Sequence, residues 1–480
     1  MKIFIDNHTF RYEVENIIRL FFPYEKFEVV YGLPDDEKNF IFTEVSYELA
    51  VTAVFDNFSK RLSGTKSGNE KEDETALCRL LFDVLTEFTG ITVPWGMITG
   101  VRPVKYLRSV IDKKGRAFAE DYFRSTYKVT EEKLDLAVMT EAYEREILDS
   151  SKEKSFSLYI SIPFCPTRCS YCSFVSQSVS RIKHLIEPYI ELLCDEIART
   201  GEIAKRNDLY LETVYVGGGT PTTLEPEQLA KLIKAVNNSF DMSTCREFTV
   251  EAGRPDTITA EKLHTLKEGG ITRISINPQT LNDAVLAEIG RKHNTEQTMQ
   301  AFKIASQCGF KTVNSDLIAG LPSDTVESFK NSLDTLISLG IENITVHTLS
   351  IKRSADYTEQ GLTTDRKDAE RTGKMLRYAH QALLKNGYIP YYLYRQSRMV
   401  GNFENVGWAK KGHEGLYNVF IMDETHSILA CGAGAVTKLK NPHTGDLQRI
   451  FNYKFPFEYI NMYDEMINRK NSVRNFFSKL

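Results

Sequence analysis

The chain of 480 residues contains 42% hydrophobic and 26% charged residues, an ordinary globular composition that excludes disorder as its main state. Its formal net charge of −4, from 60 basic and 64 acidic residues, argues against wholesale electrostatic binding of nucleic acid. The sequence has no apolar run long enough to span a membrane, and its first residues lack the pattern of a signal peptide, so we expect a cytoplasmic protein without a membrane span.

Residues 1–150 are expected to form a separate N-terminal α+β domain. The chain begins with a strand-like run from Lys2 to Asp6. The stretch from Lys60 to Glu74 is almost free of apolar residues, which predicts a solvated loop. The polar run from Asp149 to Lys154 then predicts the boundary to the next domain.

Short β-rich runs alternate with longer helical stretches in residues 151–367. The predicted strands are Leu158–Ile162, Thr213–Val216, Glu247–Glu251, Ile271–Ile276, Thr312–Ile318 and Asn343–Leu349. The predicted helices include Ile182–Arg199, Pro226–Asn237, Thr259–Glu268, Thr295–Gln307 and Thr325–Leu339. Repeated β-α units with right-handed crossovers predict an α/β fold, a partial (β/α)6 barrel, whose site would lie at the carboxyl ends of the strands.

Residues 368–480 are expected to form a small C-terminal α+β region that covers the barrel. It begins with a predicted helix from Asp368 to Lys385. The strand-like runs that follow are Tyr388–Tyr394, Leu416–Met422 and Ser427–Ala430. The sequence Gly432-Ala433-Gly434-Ala435 comes next, and a turn of small residues needs no ligand to explain it.

Three of the eight cysteines, Cys165, Cys169 and Cys172, fall on one short loop directly after the first predicted barrel strand. Soft thiolate ligands select zinc, copper(I) or iron–sulfur clusters. A closed zinc site needs a fourth ligand, for which His184 is the nearest downstream candidate, and a closed [4Fe–4S] cluster also uses four cysteines. Three cysteines suit a cluster in which one iron is left open.

A CxxxCxxC loop after the first strand of a barrel resembles the radical S-adenosylmethionine (SAM) enzymes. The resemblance implies a [4Fe–4S] cluster whose open iron is chelated by exchangeable SAM. It also implies one-electron cleavage of SAM to a 5′-deoxyadenosyl radical, which removes a hydrogen atom from an unreactive carbon. In such enzymes the cofactors carry the chemistry and the protein positions them.

The later predicted strands end in residues that are suited to hold a ligand. The second strand runs into Gly217-Gly218-Gly219-Thr220, where glycines allow the backbone to approach a ligand closely. The third strand ends at Glu251, whose carboxylate can accept hydrogen bonds from two ribose hydroxyls. The fourth strand leads to Gln279, and the fifth contains Asp316.

The motifs LYISIPFCPTRCSYCSF, GGGTPT, RISINPQTLND, IGRKHN, SDLIAGLPSDT and CGAGAV follow one another in order. Together they resemble the oxygen-independent coproporphyrinogen III oxidase (coproporphyrinogen dehydrogenase) group, which includes the HemN, HemW and HemZ types. The N-terminal TGVRPVK stretch is most similar to the HemZ type. The resemblance implies that Cys165, Cys169 and Cys172 ligate the cluster. The positions that match SAM contacts are Tyr159, Tyr171, Gly218, Gly219, Thr220, Glu251, Gln279, Arg291, Asp316, Ser350 and Val436.

The same resemblance implies a reaction of haem (porphyrin) biosynthesis. Two propionates of coproporphyrinogen III would be oxidatively decarboxylated to the vinyl groups of protoporphyrinogen IX, with a reduced flavodoxin or ferredoxin as the expected electron donor. An arginine-rich pocket would bind the propionates. Arg254, Arg273 and Lys292, near strand ends or in the helix-linked motif, are the candidates, and the sequence does not choose among them. No catalytic side chain is assigned.

Two other functions remain open. The established dehydrogenase has a further cysteine two residues beyond the third ligand, where this chain has Phe174, as in the HemW type. A HemW-like haem chaperone that binds the cluster and haem without decarboxylase activity is therefore the main alternative, although the HNxxYW motif of that type is matched only in part, from His413 to Asn418. The third hypothesis is a radical SAM enzyme acting on RNA, which the lack of a basic stripe disfavours.

Overall fold

The computed structural model describes residues 1–34, 37–172, 177–351 and 365–479. The chain divides into two compact units, the first made of Met1–Met139 with Arg395–Phe403 and the second of Thr140–Tyr394 with Glu404–Leu480. The border between them falls within a helix that spans Glu131–Asp149. The expected separation of residues 1–150, 151–367 and 368–480 into three domains stays a prediction.

The first unit is built on a five-stranded sheet with the order β2-β1-β3-β4-β5. These strands are β1 Lys2–Asp6, β2 Glu28–Tyr31, β3 Phe40–Val45, β4 Glu48–Phe55 and β5 Phe58–Thr65. Two amphipathic helices, Arg11–Phe21 and Glu70–Thr89, bury their apolar faces in the same core as the sheet. The unit also contains the helices Pro103–Lys114 and Arg116–Asp121 and a π-helical turn at Tyr122–Thr126. The expected α+β architecture of this region is confirmed.

The prediction of one continuous loop from Lys60 to Glu74 is wrong at both ends. Residues up to Thr65 belong to β5, which pairs with β4 at the edge of the sheet and alternates between partly buried and exposed positions. A polar sequence is compatible with such an edge strand, because only one face of it is buried. The helix at Glu70 begins after Asn69, whose side chain accepts the backbone N–H groups of Lys71 and Glu72.

The second unit is built on an eleven-stranded sheet with the order β14-β15-β13-β12-β11-β10-β9-β6-β16-β17-β18. Its strands are β6 Ser155–Ile162, β9 Tyr210–Gly218, β10 Glu247–Glu251, β11 Arg273–Ser275, β12 Thr312–Ala319, β13 Asn343–Thr348, β14 Ile389–Tyr394, β15 Asn405–Ala409, β16 Ser427–Cys431, β17 Val436–Lys440 and β18 Leu447–Phe451. A separate two-stranded pair joins β7 Phe164–Cys165 and β8 Gln177–Ser178. The six predicted barrel strands are all present and pair in parallel, and β16 adds a seventh parallel strand beside β6. The predicted α/β partial barrel is confirmed.

Helices follow the parallel strands, as the β-α repeat predicts. The longer helices of this unit are Ile186–Arg206, Pro226–Ser239, Ala260–Glu268, Thr295–Cys308, Val326–Ser338 and Arg366–Lys385. Shorter helices span Val179–Ile182, Asp283–Glu288, Leu416–Asp423, Pro456–Asn461, Tyr463–Arg469 and Asn471–Phe477. In the part of the chain that the structure describes, none of the helices has the length and apolarity that crossing a membrane requires.

The predicted strand at Leu416–Met422 is a helix, Leu416–Asp423. A short apolar run fits a buried strand and a buried helix equally well, so periodicity alone does not decide between them. The carboxylate of Glu247 favours the helix, because it accepts the backbone N–H groups of Leu416 at 2.8 Å and Tyr417 at 3.2 Å. A negative charge at that end stabilises the first turn of a helix.

Candidate cluster and cofactor site

A layer of partly exposed polar side chains crosses the otherwise buried barrel strands. Each of these polar residues has a buried neighbour on either side along its strand, because successive side chains alternate between the two faces of a sheet. The layer consists of Tyr159 on β6, Tyr215 on β9, Glu251 on β10, Asp316 on β12 and His347 on β13. The register places Tyr159 directly opposite Tyr215. We call this set the polar layer.

The three-cysteine loop begins where β6 ends, and the glycine-rich end of β9 holds its first residues. The backbone N–H of Gly219 donates to Ile162 and that of Thr220 donates to Phe164, both at 2.7 Å. A Cβ on Gly219 would lie 2.5 Å from the carbonyl oxygen of Phe164. The glycine therefore allows the two chain segments to approach closely just before Cys165.

The cysteine side chains have polar neighbours from other strand ends. The Cys165 sulfur lies 3.5 Å from the Thr220 hydroxyl, and the guanidinium of Arg254 donates to the Cys169 sulfur at 3.8 Å. The backbone N–H of Cys172 donates to the carbonyl of Cys169 at 3.0 Å, which closes a tight turn. Cys169 is buried, whereas Cys165 and Cys172 are partly exposed.

This donor set fits an iron–sulfur cluster. Free thiols on one loop provide the soft ligands that such a cluster needs. Among the described residues, no three His, Cys, Asp or Glu side chains form a group that could hold a single metal ion. Thiolates that bind separate irons of a cluster need no such convergence. His184, the candidate fourth ligand of a zinc site, is exposed in a short 3-10 turn, Lys183–Leu185.

The two carboxylates of the polar layer differ in their electrostatic surroundings. Burial raises the pKa of Glu251 to about 7. The Tyr215 hydroxyl donates to Glu251 at 2.5 Å and acts to lower this pKa, whereas the negative charge of Asp316 acts to raise it. Burial acts to raise the pKa of Asp316 as well, but its contacts with His347 and Asn314 hold it below the ordinary value. His347 Nε2 lies 3.6 Å from Asp316 Oδ2, and the Asn314 amide donates to Oδ1 at 2.8 Å. Asp316 is therefore ionised at neutral pH, whereas Glu251 titrates there.

A second cation links the cysteine loop to the end of the fourth strand. Arg291 donates to the Tyr171 hydroxyl at 2.9 Å and to the Asn277 carbonyl at 2.8 Å.

Gln279 has a positive φ of 73°, and its backbone N–H donates to the Asp316 carbonyl at 3.0 Å. A residue other than glycine in this conformation stores strain, which is frequent near functional sites.

The predicted SAM-contact positions all lie in the carboxyl-terminal halves of the parallel strands or in the segments that follow them. Direct contacts join Cys165 with Thr220 and Tyr171 with Arg291, and backbone hydrogen bonds join Gln279 with β12. Ser350 is half-buried just after β13, and Val436 is half-buried at the start of β17. Their role as SAM contacts stays a prediction.

The three basic candidates for propionate binding differ in burial and in their position along the strands. Arg254 is buried beside the cysteine loop, whereas Lys292 is exposed. Arg273 is the first residue of β11, so it lies at the amino end of its strand, where it donates to the carbonyl of His413 at 3.0 Å. Arg254 and Arg273 therefore lie at opposite ends of the parallel strands, and the choice of propionate-binding residue among the three stays a prediction.

A buried ionic network holds the Gly432-Ala433-Gly434-Ala435 turn beside the end of β6. Glu196 is fully buried and accepts the Gly432 N–H at 2.7 Å and the Tyr459 hydroxyl at 2.6 Å. The Lys470 ammonium lies 2.9 Å from the same carboxylate. A Cβ on Gly432 would lie 2.5 Å from the Ser161 carbonyl oxygen, so the turn needs a glycine there. We call Glu196, Lys470 and Tyr459 with the Gly432 amide the Glu196 network.

Sequence reasoning missed Tyr215 and His347. The alternation of polar residues along β9 and β13, for example Asn343, Thr345 and His347, was the available signal, because one face of these strands points into the barrel.

A groove of about 850 Å³ lies elsewhere, between the helix Thr295–Cys308 and residues 339–342, and no predicted site residue lines it.

Comparisons with known proteins identify the family to which the chain belongs. The family model of the radical SAM superfamily matches residues 159–336. The oxygen-independent coproporphyrinogen-III oxidase-like protein HemZ of Bacillus subtilis (strain 168) is 35% identical over 477 residues, which cover 95% of this chain and 94% of that protein. The heme chaperone HemW of the same organism is 39% identical over 197 residues, but these cover only 41% of this chain and 51% of HemW.

A solved structure supports the fold. The coproporphyrinogen III oxidase HemN from Escherichia coli, described as a radical SAM enzyme, aligns with a TM-score of 0.52 at 22% identity over 67% of this chain and 72% of that chain. The chain belongs to the radical SAM superfamily and, within it, to the HemZ group of oxygen-independent coproporphyrinogen III oxidase-like proteins. The resemblance inferred from the motifs is confirmed.

Proposed function

We propose that this protein is a SAM-dependent oxidoreductase that oxidatively decarboxylates coproporphyrinogen III to protoporphyrinogen IX. The observation that carries the proposal is the polar layer, which lies inside the barrel whose strand ends also hold the three-cysteine loop. Similarity to HemZ over nearly the whole chain supports it. A porphyrinogen is the proposed substrate, a reduced flavodoxin or ferredoxin the proposed electron donor, and the cytoplasm the proposed location.

The residues of this chain have defined tasks in the proposal. When bound, a [4Fe–4S] cluster with SAM would supply the hydrogen-abstracting chemistry of the superfamily. Cys165, Cys169 and Cys172 would hold the cluster by three thiolates. Glu251 would accept hydrogen bonds from the ribose hydroxyls of SAM, and Arg291 would fix Tyr171 at the edge of the loop.

A HemW-like haem chaperone is the second candidate. The 39% identity to HemW over part of the chain favours it, as does Phe174, which lies outside the described residues. The ring of His413, the candidate haem ligand, lies 2.9 Å from the Thr312 hydroxyl at the amino end of β12, away from the cysteine loop. This contact uses Nδ1 of the imidazole, so a haem iron would have to bind through Nε2.

Anaerobic assays distinguish the two functions. Protein reconstituted with iron and sulfide is mixed with a reductant, SAM and coproporphyrinogen III, and protoporphyrinogen and CO2 are measured. In parallel, the same preparation is titrated with haemin. The proposal predicts CO2 release that depends on SAM. Tight stoichiometric haemin binding without decarboxylation would establish the chaperone instead.

Glu251 allows a quantitative test of the SAM site. Replacing it as Glu251→Gln removes a charged acceptor, and such hydrogen bonds contribute about 1.5–3 kcal/mol, or roughly 10- to 100-fold in Kd. Because the Glu251 pKa is raised to about 7, the wild-type affinity for SAM should increase between about pH 6 and pH 8 as the carboxylate ionises. The glutamine variant should bind weakly at both pH values. Equilibrium dialysis with SAM measures this, and equal affinities for the two proteins would remove Glu251 from the site.

The same pKa makes a prediction about stability. A carboxyl group whose pKa is raised in the folded state stabilises that state below its unfolded pKa, and this contribution is lost as the pH rises through the folded value. For Glu251 the window extends from the ordinary glutamate value to about pH 7. The Glu251→Gln variant should therefore gain stability relative to the wild type across this window, as measured by urea unfolding.

A further inference from the structure

Arg254 is a buried cation whose side chain contacts the cysteine loop directly. Only 3% of its surface is exposed, and it lies three residues beyond Glu251, after the end of β10. One of its nitrogens, Nη1, donates to the Thr167 hydroxyl at 3.0 Å and to the Cys169 sulfur at 3.8 Å. The guanidinium thus has a hydrogen bond aimed at one of the three thiols proposed to ligate the cluster.

The remaining donors of Arg254 are held in place by one carboxylate. Nε and Nη2 each donate to Asp256, both at 2.9 Å, in a bidentate pair. This geometry fixes the plane of the guanidinium, so that Nη1 points toward the loop. Thr167 in turn donates to the Gly290 carbonyl at 3.3 Å. Arg254 therefore lies at the centre of a rigid connection between the third strand end and the cysteine loop.

Two further titratable side chains lie near this pair. His293 lies 3.9 Å from Asp256 and is fully buried, and burial with the neighbouring Arg291 and Arg254 lowers its pKa to about 4, so it is neutral. Arg291 is directed at Tyr171 on the same loop. The loop is thus flanked by two guanidinium groups, one of which is partly neutralised by Asp256.

We infer that Arg254 is a positioning residue that raises the reduction potential of the cluster by donating a hydrogen bond to the Cys169 thiolate, and that Asp256 moderates this effect. The inference rests on the proposed function, because it takes the three cysteines as cluster ligands. Reduction adds one electron to the cluster, and a buried positive charge with a hydrogen bond to a ligand sulfur favours the more negative, reduced form. Hydrogen bonds to ligands from the surrounding shell tune metal sites in this way.

Two substitutions should move the potential in opposite directions. Arg254→Met removes the charge and the hydrogen bond at similar length, so the midpoint potential should fall. Asp256→Asn removes the compensating negative charge, so the midpoint should rise. We expect roughly a tenfold change in the reduction equilibrium in each case, which for one electron corresponds to about 59 mV. Arg254→Lys keeps the charge without the fixed fork and should give a midpoint between those of the wild type and the methionine variant.

The measurement is a redox titration of anaerobically reconstituted protein, followed by the paramagnetic resonance signal of the reduced cluster in the absence of SAM. Arg246→Met is the matched control, because it removes one cation beside Glu212 at the amino ends of the strands and should leave the midpoint unchanged. If Arg254→Met loses its iron, the lysine and asparagine variants decide the question by the signs of their shifts. Shifts of the same sign, or midpoints equal to that of the wild type, would overturn the inference and leave the proposed function intact. A wild-type protein that forms no cluster would end both.

Discussion

Cys169→Ser should abolish cluster binding. The variant keeps the size of the side chain but replaces a soft thiolate with a hard hydroxyl, and iron–sulfur clusters are held by thiolates. Cys169 is also the buried member of the three, and it both accepts from Arg254 and closes the turn to Cys172. After anaerobic reconstitution, we expect iron to fall from about four atoms per chain to near zero. Iron and sulfide analysis, together with the visible absorbance, measures this.

The matched control for this prediction is Cys194→Ala. Cys194 lies on the helix Ile186–Arg206, where burial raises the pKa of its thiol to about 11, so it stays protonated and is a poor ligand. This variant should hold as much iron as the wild type. A full iron load in Cys169→Ser would show that the ligand assignment is wrong.

Glu196→Ala should cause the largest loss of stability. It leaves the buried ammonium of Lys470 without its carboxylate, and it also removes the acceptor of the Gly432 N–H and of the Tyr459 hydroxyl. Breaking a buried ion pair from one side costs about 3–5 kcal/mol, because an uncompensated charge remains in a medium of low polarity. Urea unfolding, read as the change in the free energy of unfolding, measures the effect.

An exposed glutamate on the same helix provides the control for Glu196. Glu191 pairs with Lys231 at the surface, and surface pairs contribute at most about 1 kcal/mol. Glu191→Ala should therefore leave stability nearly unchanged. If the two variants lose the same small amount, the Glu196 network does not hold the Gly432 turn beside the end of β6.

The parallel sheet was predictable because buried strands have a clear sequence signature. Short β-rich runs indicated β6, β9 and β10, and longer helical stretches alternated with them. The segment Leu416–Asp423 was predicted wrongly because it is short and apolar, and its helix is stabilised by Glu247, which lies far away in sequence. The edge strand β5 was missed because its polar composition resembles that of a loop.

Residues of the candidate site that are neighbours in the sequence could be predicted. Contacts that only the fold brings about could not. Three cysteines on one loop and a glycine run are local signals. Arg254 contacts Cys169, which is 85 residues away in the sequence, and Tyr215 contacts Glu251, which is 36 residues away. Spacing alone does not reveal either contact. The amino-end position of Arg273 likewise follows from the start of its strand, which sequence periodicity did not locate.

In the proposed site, three thiolates leave one iron of a [4Fe–4S] cluster open for SAM. The most direct measurement is the paramagnetic resonance spectrum of anaerobically prepared, reduced protein before and after addition of SAM. We expect a signal from the reduced cluster that changes when SAM binds. Protein without iron but with stoichiometric zinc, or a cluster signal that SAM leaves unchanged, would contradict it.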